Sequence, residues 1–177
     1  DLCDLFPKTR VCMHYGLTEA SRSAFLEFHS DKEHLASVGR ATPGVEIKVA
    51  DDSGTPVNAG EIGRILVRGP NVMPYYWRDR EAAATTEQPD ERWIDTRDLG
   101  YVDSEDYLHL SGRADSVINC GGINMLPEDI EAVAAGFPGV VEAGCCGVPD
   151  PESLLGEIPR LCVVTDGDVS TANLAKY

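Results

Sequence analysis

The apolar run Val11-Cys12-Met13-His14-Tyr15 opens straight into Gly16-Leu17-Thr18-Glu19-Ala20, and no other stretch limits the fold as much. A short, mostly apolar run of this kind suits a buried strand, and this one delivers a loop at its end. Within that loop an aromatic, a glycine, a hydroxyl and a carboxylate follow one another closely. Those are the parts needed to hold a nucleotide. The Tyr15 ring can cover a base, and Gly16 lets a backbone approach closely. Thr18 can donate to a phosphate oxygen, and Glu19 can hold a hard cation such as Mg²⁺. The same residues also suit a plain strand-to-loop turn with a buried tyrosine and a surface glutamate. His14 and Ala20 flank the loop, where structural roles are expected of both.

Composition narrows the class. The chain has 177 residues, 42% hydrophobic and 25% charged, which is enough for a packed core in one or two domains. A formal net charge of −15 argues against a nucleic-acid or anionic-membrane surface. It does not argue against one bound nucleotide, because local groups and a metal override the global sign. No apolar run approaches the ~18 residues of a membrane span, and Asp1-Leu2-Cys3-Asp4 lacks the basic start of a signal peptide. The cysteines Cys3, Cys12, Cys120, Cys145, Cys146 and Cys162 show no C-x-x-C spacing and no Cys/His cluster. They imply a reducing cytoplasm without disulfides, with Cys145 and Cys146 as small core residues. Cys120, beside a glycine pair, is a candidate reactive thiol.

Three parts follow along the chain. Residues 1 to about 35 comprise a strand, the Tyr15–Ala20 loop and a variable connection. Residues 36 to about 113 are β-rich. Val45–Val49 alternates with period two into the turn Asp51-Asp52-Ser53-Gly54, Glu61–Gly69 is a second strand, and Tyr101–Leu110 is a hairpin with an acidic tip. The Asp51-Asp52 and Asp103–Asp106 clusters are expected as solvated turns, since neither carries an EF-hand pattern. A short helix is predicted at about 78–85. The third part begins near Asp115. There Val117-Ile118 is a short strand, Gly121-Gly122 a loop, and Pro127 the first turn of a helix. Glu128, Asp129 and Glu131 complement that helix's dipole, and Ile130, Val133 and Ala134 form its apolar stripe. Val140–Val148 and Pro159–Thr165 complete a small α+β domain with helices on one face of a sheet.

Two further segments stand behind the first. One is Trp93-Ile94-Asp95-Thr96-Arg97-Asp98-Leu99-Gly100-Tyr101, followed by Tyr107–Asp115 with its Ser111-Gly112-Arg113. The other is Ile118-Asn119-Cys120-Gly121-Gly122 through Glu131. In this order and spacing the three segments resemble the adenylate-forming superfamily: acyl- and aryl-CoA synthetases, peptide-synthetase adenylation domains and firefly luciferase. The resemblance runs from about Tyr15 to about Val164.

The resemblance implies an α/β and β-rich fold. Residues 1–114 would be the C-terminal part of the large AMP-binding domain, ending in a distorted β-barrel subdomain. Residues 115–177 would begin the mobile α+β domain. It also implies a two-step reaction, in which a carboxylic acid and ATP give an acyl-adenylate and pyrophosphate, and a thiol, often CoA, displaces AMP. By this resemblance Tyr15 packs on adenine, with Gly16 in the same nucleotide loop, Thr18 touches the AMP phosphate and Glu19 binds Mg²⁺. Asp98 takes the ribose hydroxyls, since a carboxylate accepts both hydrogen bonds. Arg113 contacts the ribose side, Asp115 is the hinge, and Gly121 and Gly122 form the loop brought up for the thiol step.

The chain departs from the family at two positions in these motifs. Arg97 stands where the family usually has glycine, which crowds the loop or adds a positive group near the nucleotide. Ser116 follows the hinge where an acidic residue is common. The phosphate-binding glycine/serine-rich loop and the adenylation lysine of the family are not found, and Lys176 lacks the surroundings of that lysine. A piece of a larger enzyme is therefore expected, one that does not catalyse alone and that associates with itself through exposed apolar surface. The alternatives are a non-catalytic nucleotide-binding or interaction module, and an adenylation domain that loads a carrier protein.

Overall fold

A computed structural model describes residues 2–74 and 92–177, so the helix predicted at about 78–85 lies outside the described residues. The chain divides into two compact units, Asp1–Leu110 and Ser111–Tyr177.

The first unit opens with a short helix α1 (Leu2–Leu5), then strands β1 (Cys12–Leu17), β2 (Ala20–Glu27) and β3 (Arg40–Ala41) in a three-stranded sheet ordered β1-β2-β3. The expected variable connection after the loop is therefore strand β2, paired antiparallel with β1. Its small polar residues hide the alternation, and a bulge interrupts it. The register runs Tyr15↔Ala24 and then Leu17↔Ala20, so β2 carries the extra residues opposite Gly16.

A second sheet, ordered β4-β5-β6-β7, is built from β4 (Glu46–Ala50), β5 (Gly63–Arg68), β6 (Ile94–Val102) and β7 (Leu108–Arg113). Branched aliphatic residues at alternate positions of β5 put Ile65 and Val67 fully inside. The Asp51 carboxylate accepts from the Ser53 and Thr55 backbone N–H groups, at 2.9 and 3.0 Å, and so shapes the turn after β4. Asp103 does the same for β6–β7. Its Oδ1 accepts from Glu105 N and Tyr107 N, both at 2.9 Å, while its Oδ2 lies 2.9 Å from His109 Nε2. The two sheets meet at Gly39 and Leu108, where Leu108 N donates to Gly39 O at 2.9 Å and Val38 N donates to Leu108 O at 2.8 Å. A Cβ on Gly39 would sit 1.8 Å from Phe25 O, so only glycine fits there. The core between the sheets includes Tyr15, Ala24, Val49, Ile65 and Leu108.

In the second unit a 3₁₀ turn, Ala114–Ser116, leads into the hairpin β8 (Ile118–Cys120) and β9 (Ile123–Met125). Helix α2 (Pro127–Ala135) follows, then the hairpin β10 (Val140–Pro149) and β11 (Glu157–Thr165), and a last turn of helix α3 (Thr171–Leu174). Pro127 opens α2 at a position where its missing N–H costs nothing. The helix packs on β10, and Glu131 Oε1 accepts from Cys145 N at 2.7 Å. Two expectations change here. Val133 is 55% exposed, so the stripe narrows to Ile130 and Ala134, with Pro127 also buried. Cys146 is exposed while Cys145 is half-buried, because neighbours on a strand point to opposite faces and only one can face the helix. All six cysteines are free thiols, and burial raises that of Cys145 above its ordinary value.

Candidate nucleotide site

Thr18 and Glu19 form the two-residue turn between β1 and β2, Thr18 exposed and Glu19 half-buried. The turn is tied from its side by Met73 N, which donates to Glu19 O at 2.8 Å. Arg92 in turn donates to Met73 O at 3.0 Å. Gly16 lies against the β2 bulge, and a Cβ there would stand 2.6 Å from Arg22 N and 2.8 Å from Ala20 O. The close approach that Gly16 permits is therefore to its own hairpin. His14 is exposed and Ala20 is fully buried, which suits structural roles for both.

Tyr15 is 8% exposed and its ring belongs to the core between the sheets. Little of that ring is open to a base. Its hydroxyl has a defined task, donating to Asp98 Oδ2 at 2.7 Å. Asp98 is not in a loop. It lies in the middle of β6, at an irregularity where the register against β5 slips from Leu66↔Asp95 to Arg64↔Leu99.

The buried Thr96 hydroxyl pins this irregularity, donating to Ile65 O at 2.9 Å and accepting from Asp98 N at 3.1 Å. Thr96 belongs to the same sequence motif as Asp98, and the fold adds the two hydrogen bonds that its hydroxyl makes there. Its function in the site follows from its place two residues before Asp98. Arg97, between them, has φ +63°, the left-handed region that favours glycine. Arg97 thus holds a conformation that suits glycine, directly before Asp98 in the chain.

The remaining expected residues lie in the second unit. Arg113 ends β7, half exposed, with Nε donating to Asp115 Oδ1 at 3.0 Å. Asp115 sits in the 3₁₀ turn. Gly121 and Gly122 are the two-residue tip of the β8–β9 hairpin, with φ +60° and +87°, the pair of left-handed residues that a tight hairpin turn needs. Gly122 N donates to Asn119 Oδ1 at 3.1 Å. Among the described residues no group of three or more His, Cys, Asp or Glu side chains is placed to hold a metal ion. No helix among them is long and apolar enough to cross a membrane.

Residues 2–77 match the family model described as AMP-binding enzyme. A feruloyl-CoA synthase from Amycolatopsis is 37% identical over 154 residues, which are 85% of this chain and 30% of that protein. Among solved structures, ATP-bound MatB from Rhodopseudomonas palustris superposes with a TM-score of 0.80 at 35% identity, over 93% of this chain and 32% of the other. The o-succinylbenzoate coenzyme A synthetase MenE of Bacillus subtilis, in complex with ATP and magnesium, gives 0.74 at 34% identity, over 98% and 35%. The chain spans about a third of the length of the curated relatives it matches. With the tyrosine and the aspartate of two separate motifs joined by one hydrogen bond, and with these likenesses over nearly its whole length, the chain belongs to the adenylate-forming superfamily.

Proposed function

We propose that this chain is part of an AMP-forming acid–thiol ligase, most simply an acyl-CoA synthetase that uses ATP, Mg²⁺, a carboxylic acid and CoA. The observation that carries the reading is the Tyr15–Asp98 hydrogen bond, which unites the nucleotide loop with the ribose motif 83 residues later. Residues 1–114 are taken as the end of the large domain and 115–177 as the start of the mobile one. A cytoplasmic setting is part of the same proposal.

Each residue has a task in this reading. Asp98 accepts from the ribose hydroxyls, its carboxylate held in place by Tyr15. Thr18, on an exposed turn, donates to the phosphate. Glu19 fits Mg²⁺ as a lone carboxylate, because Mg²⁺ beside a nucleotide commonly takes one or two carboxylates and completes its shell with phosphate and water. When bound, the ion neutralises phosphate charge as the acid's carboxylate displaces pyrophosphate. Arg113 meets the ribose side and Asp115 is the hinge, the two joined by their own ion pair. Gly121 and Gly122 give the thiol-side loop a tip without side chains, so that a slender pantetheine can pass. Transfer to a carrier-protein pantetheine instead of CoA uses the same residues. A non-catalytic nucleotide-binding module would keep Tyr15, Thr18 and Asp98 and lack turnover.

The test is carboxylate-dependent exchange of labelled pyrophosphate into ATP by a full-length protein carrying this chain, with acids from acetate through long-chain and aryl. Exchange is expected, and Glu19→Gln should weaken its Mg²⁺ dependence. The 177 residues alone are expected to give none. Absence of exchange with every acid would sink the proposal.

A further inference from the structure

Four non-glycine residues among those described have left-handed backbones: Arg22 (φ +57°), Arg97 (+63°), Asp106 (+66°) and Ser153 (+58°). Asp106 and Ser153 are small polar residues in turns, where this conformation is tolerated. The two arginines lie in sheet irregularities, where it costs strain. Both sit beside the same pair. Arg22 N lies against Gly16, next to Tyr15, and Arg97 directly precedes Asp98.

Both bends are clamped from outside. Around Arg22, Asn71 Nδ2 donates to Ser21 O and to Ser23 Oγ, each at 3.0 Å, and Thr42 Oγ1 donates to Arg22 O at 2.7 Å. Around Arg97, its own N–H donates to Asp95 Oδ1 at 2.8 Å, and Asp95 is itself gripped by Arg64, whose Nε donates at 2.9 Å. Strain held in place this way by its surroundings concentrates at functional sites.

The side chains tell the same story. Both arginines are exposed, and no hydrogen bond or ion pair engages either guanidinium among the described residues. In a chain with 30 acidic and 15 basic residues, carboxylates are plentiful. Arg10, Arg64, Arg68 and Arg113 each have one.

We propose that Arg22 and Arg97 are anion-reading side chains, one beside each member of the Tyr15–Asp98 pair. Their ligand is an oxyanion of the substrate, either a phosphate of the nucleotide or a second carboxylate on the acid. A guanidinium suits both, because its paired N–H groups match two oxygens of either. The inference rests on the nucleotide site proposed above.

The experiment uses a full-length protein carrying this chain, and the variants Arg22→Gly and Arg97→Gly. Glycine relieves the strain and removes the charge. Both variants should therefore melt higher than wild type yet bind anions less well, a combination that a purely structural role does not produce. Calorimetric titration with AMP and with adenosine reads the phosphate, where the preference for AMP should fall about tenfold while adenosine affinity holds. Pyrophosphate exchange with dicarboxylic against monocarboxylic acids of equal length reads the carboxylate. Loss of the diacid preference alone assigns the anion to the acid and still supports the proposal.

Arg22→Met and Arg97→Met keep the strained backbone and remove only the charge, and should show the same binding losses should glycine disturb the fold. Unchanged AMP and diacid preferences in both variant sets overturn the arginine assignment. A wild type that binds neither AMP nor adenosine overturns the nucleotide site itself, and this inference with it.

Discussion

The Tyr15 hydroxyl donates to Asp98 Oδ2 at 2.7 Å, joining the end of β1 to the middle of β6. Tyr15 is held by the core and Asp98 by the Thr96 staple, so the carboxylate is oriented before any ligand arrives. Pre-set orientation of this kind spares a binding site the cost of ordering its own groups.

Tyr15→Phe keeps the buried ring and deletes the donor. Loss of one hydrogen bond should cost about 1 kcal/mol of stability. In a full-length protein the KM for ATP should rise several-fold while the protein stays folded. Asp98→Ala should raise it further, charged hydrogen bonds being worth about 1.5–3 kcal/mol each. A double-mutant cycle on the two residues checks the link, since coupled partners give non-additive losses. Additive losses would separate the two roles.

Gly16→Ala should destabilise the β1–β2 hairpin by about 1–3 kcal/mol, because its Cβ meets backbone atoms of Arg22 and Ala20 that a bulge holds in place. Denaturant midpoints of wild type and variant check this. A variant as stable as wild type would mean that the bulge shifts at little cost.

Acid should loosen the first unit through Asp31 and Asp103. Burial disfavours ionisation of both. The Glu27 N–H and Tyr107 hydroxyl at Asp31, and His109 with the Tyr107 and Glu105 N–H groups at Asp103, outweigh it and hold both carboxyls below the ordinary range. A folded-state value below the unfolded one means stability that is present above about pH 4 and lost as the pH falls through the folded value. Melting temperature against pH should therefore drop below about pH 4, and Asp103→Asn should flatten the drop. An unchanged slope in the variant would remove Asp103 from this account.

Gly122→Ala has open space for its methyl but a φ of +87°, so its cost is backbone strain of about 1–2 kcal/mol at the hairpin tip. If this tip serves the thiol step, pyrophosphate exchange should stay within about twofold of wild type while thioester formation slows by about tenfold or more. Comparing the two half-reactions on one preparation decides it. Equal slowing of both would assign the tip a structural role.

Local chemistry alone made much of the chain legible. Alternation placed β4, the run from Glu61 to Gly69 marked β5, the aspartates at 51 and 103 marked turns that they do in fact shape, and Pro127 opened α2. Such features depend on neighbours a few residues away, and those neighbours are written next to one another. Strand β2 escaped because a clamped bulge breaks its period, and the clamping residues, Thr42 and Asn71, come from other parts of the chain. The exposure of Val133 and Cys146 depended on which side of α2 and β10 meets the other. The motifs named Tyr15 and Asp98 as residues of one site. Only the folded chain decided that the tyrosine ring would be spent on the core and its hydroxyl on the aspartate, and that Arg97 would take a glycine's conformation, because burial and register are set by surfaces brought together from 83 residues apart.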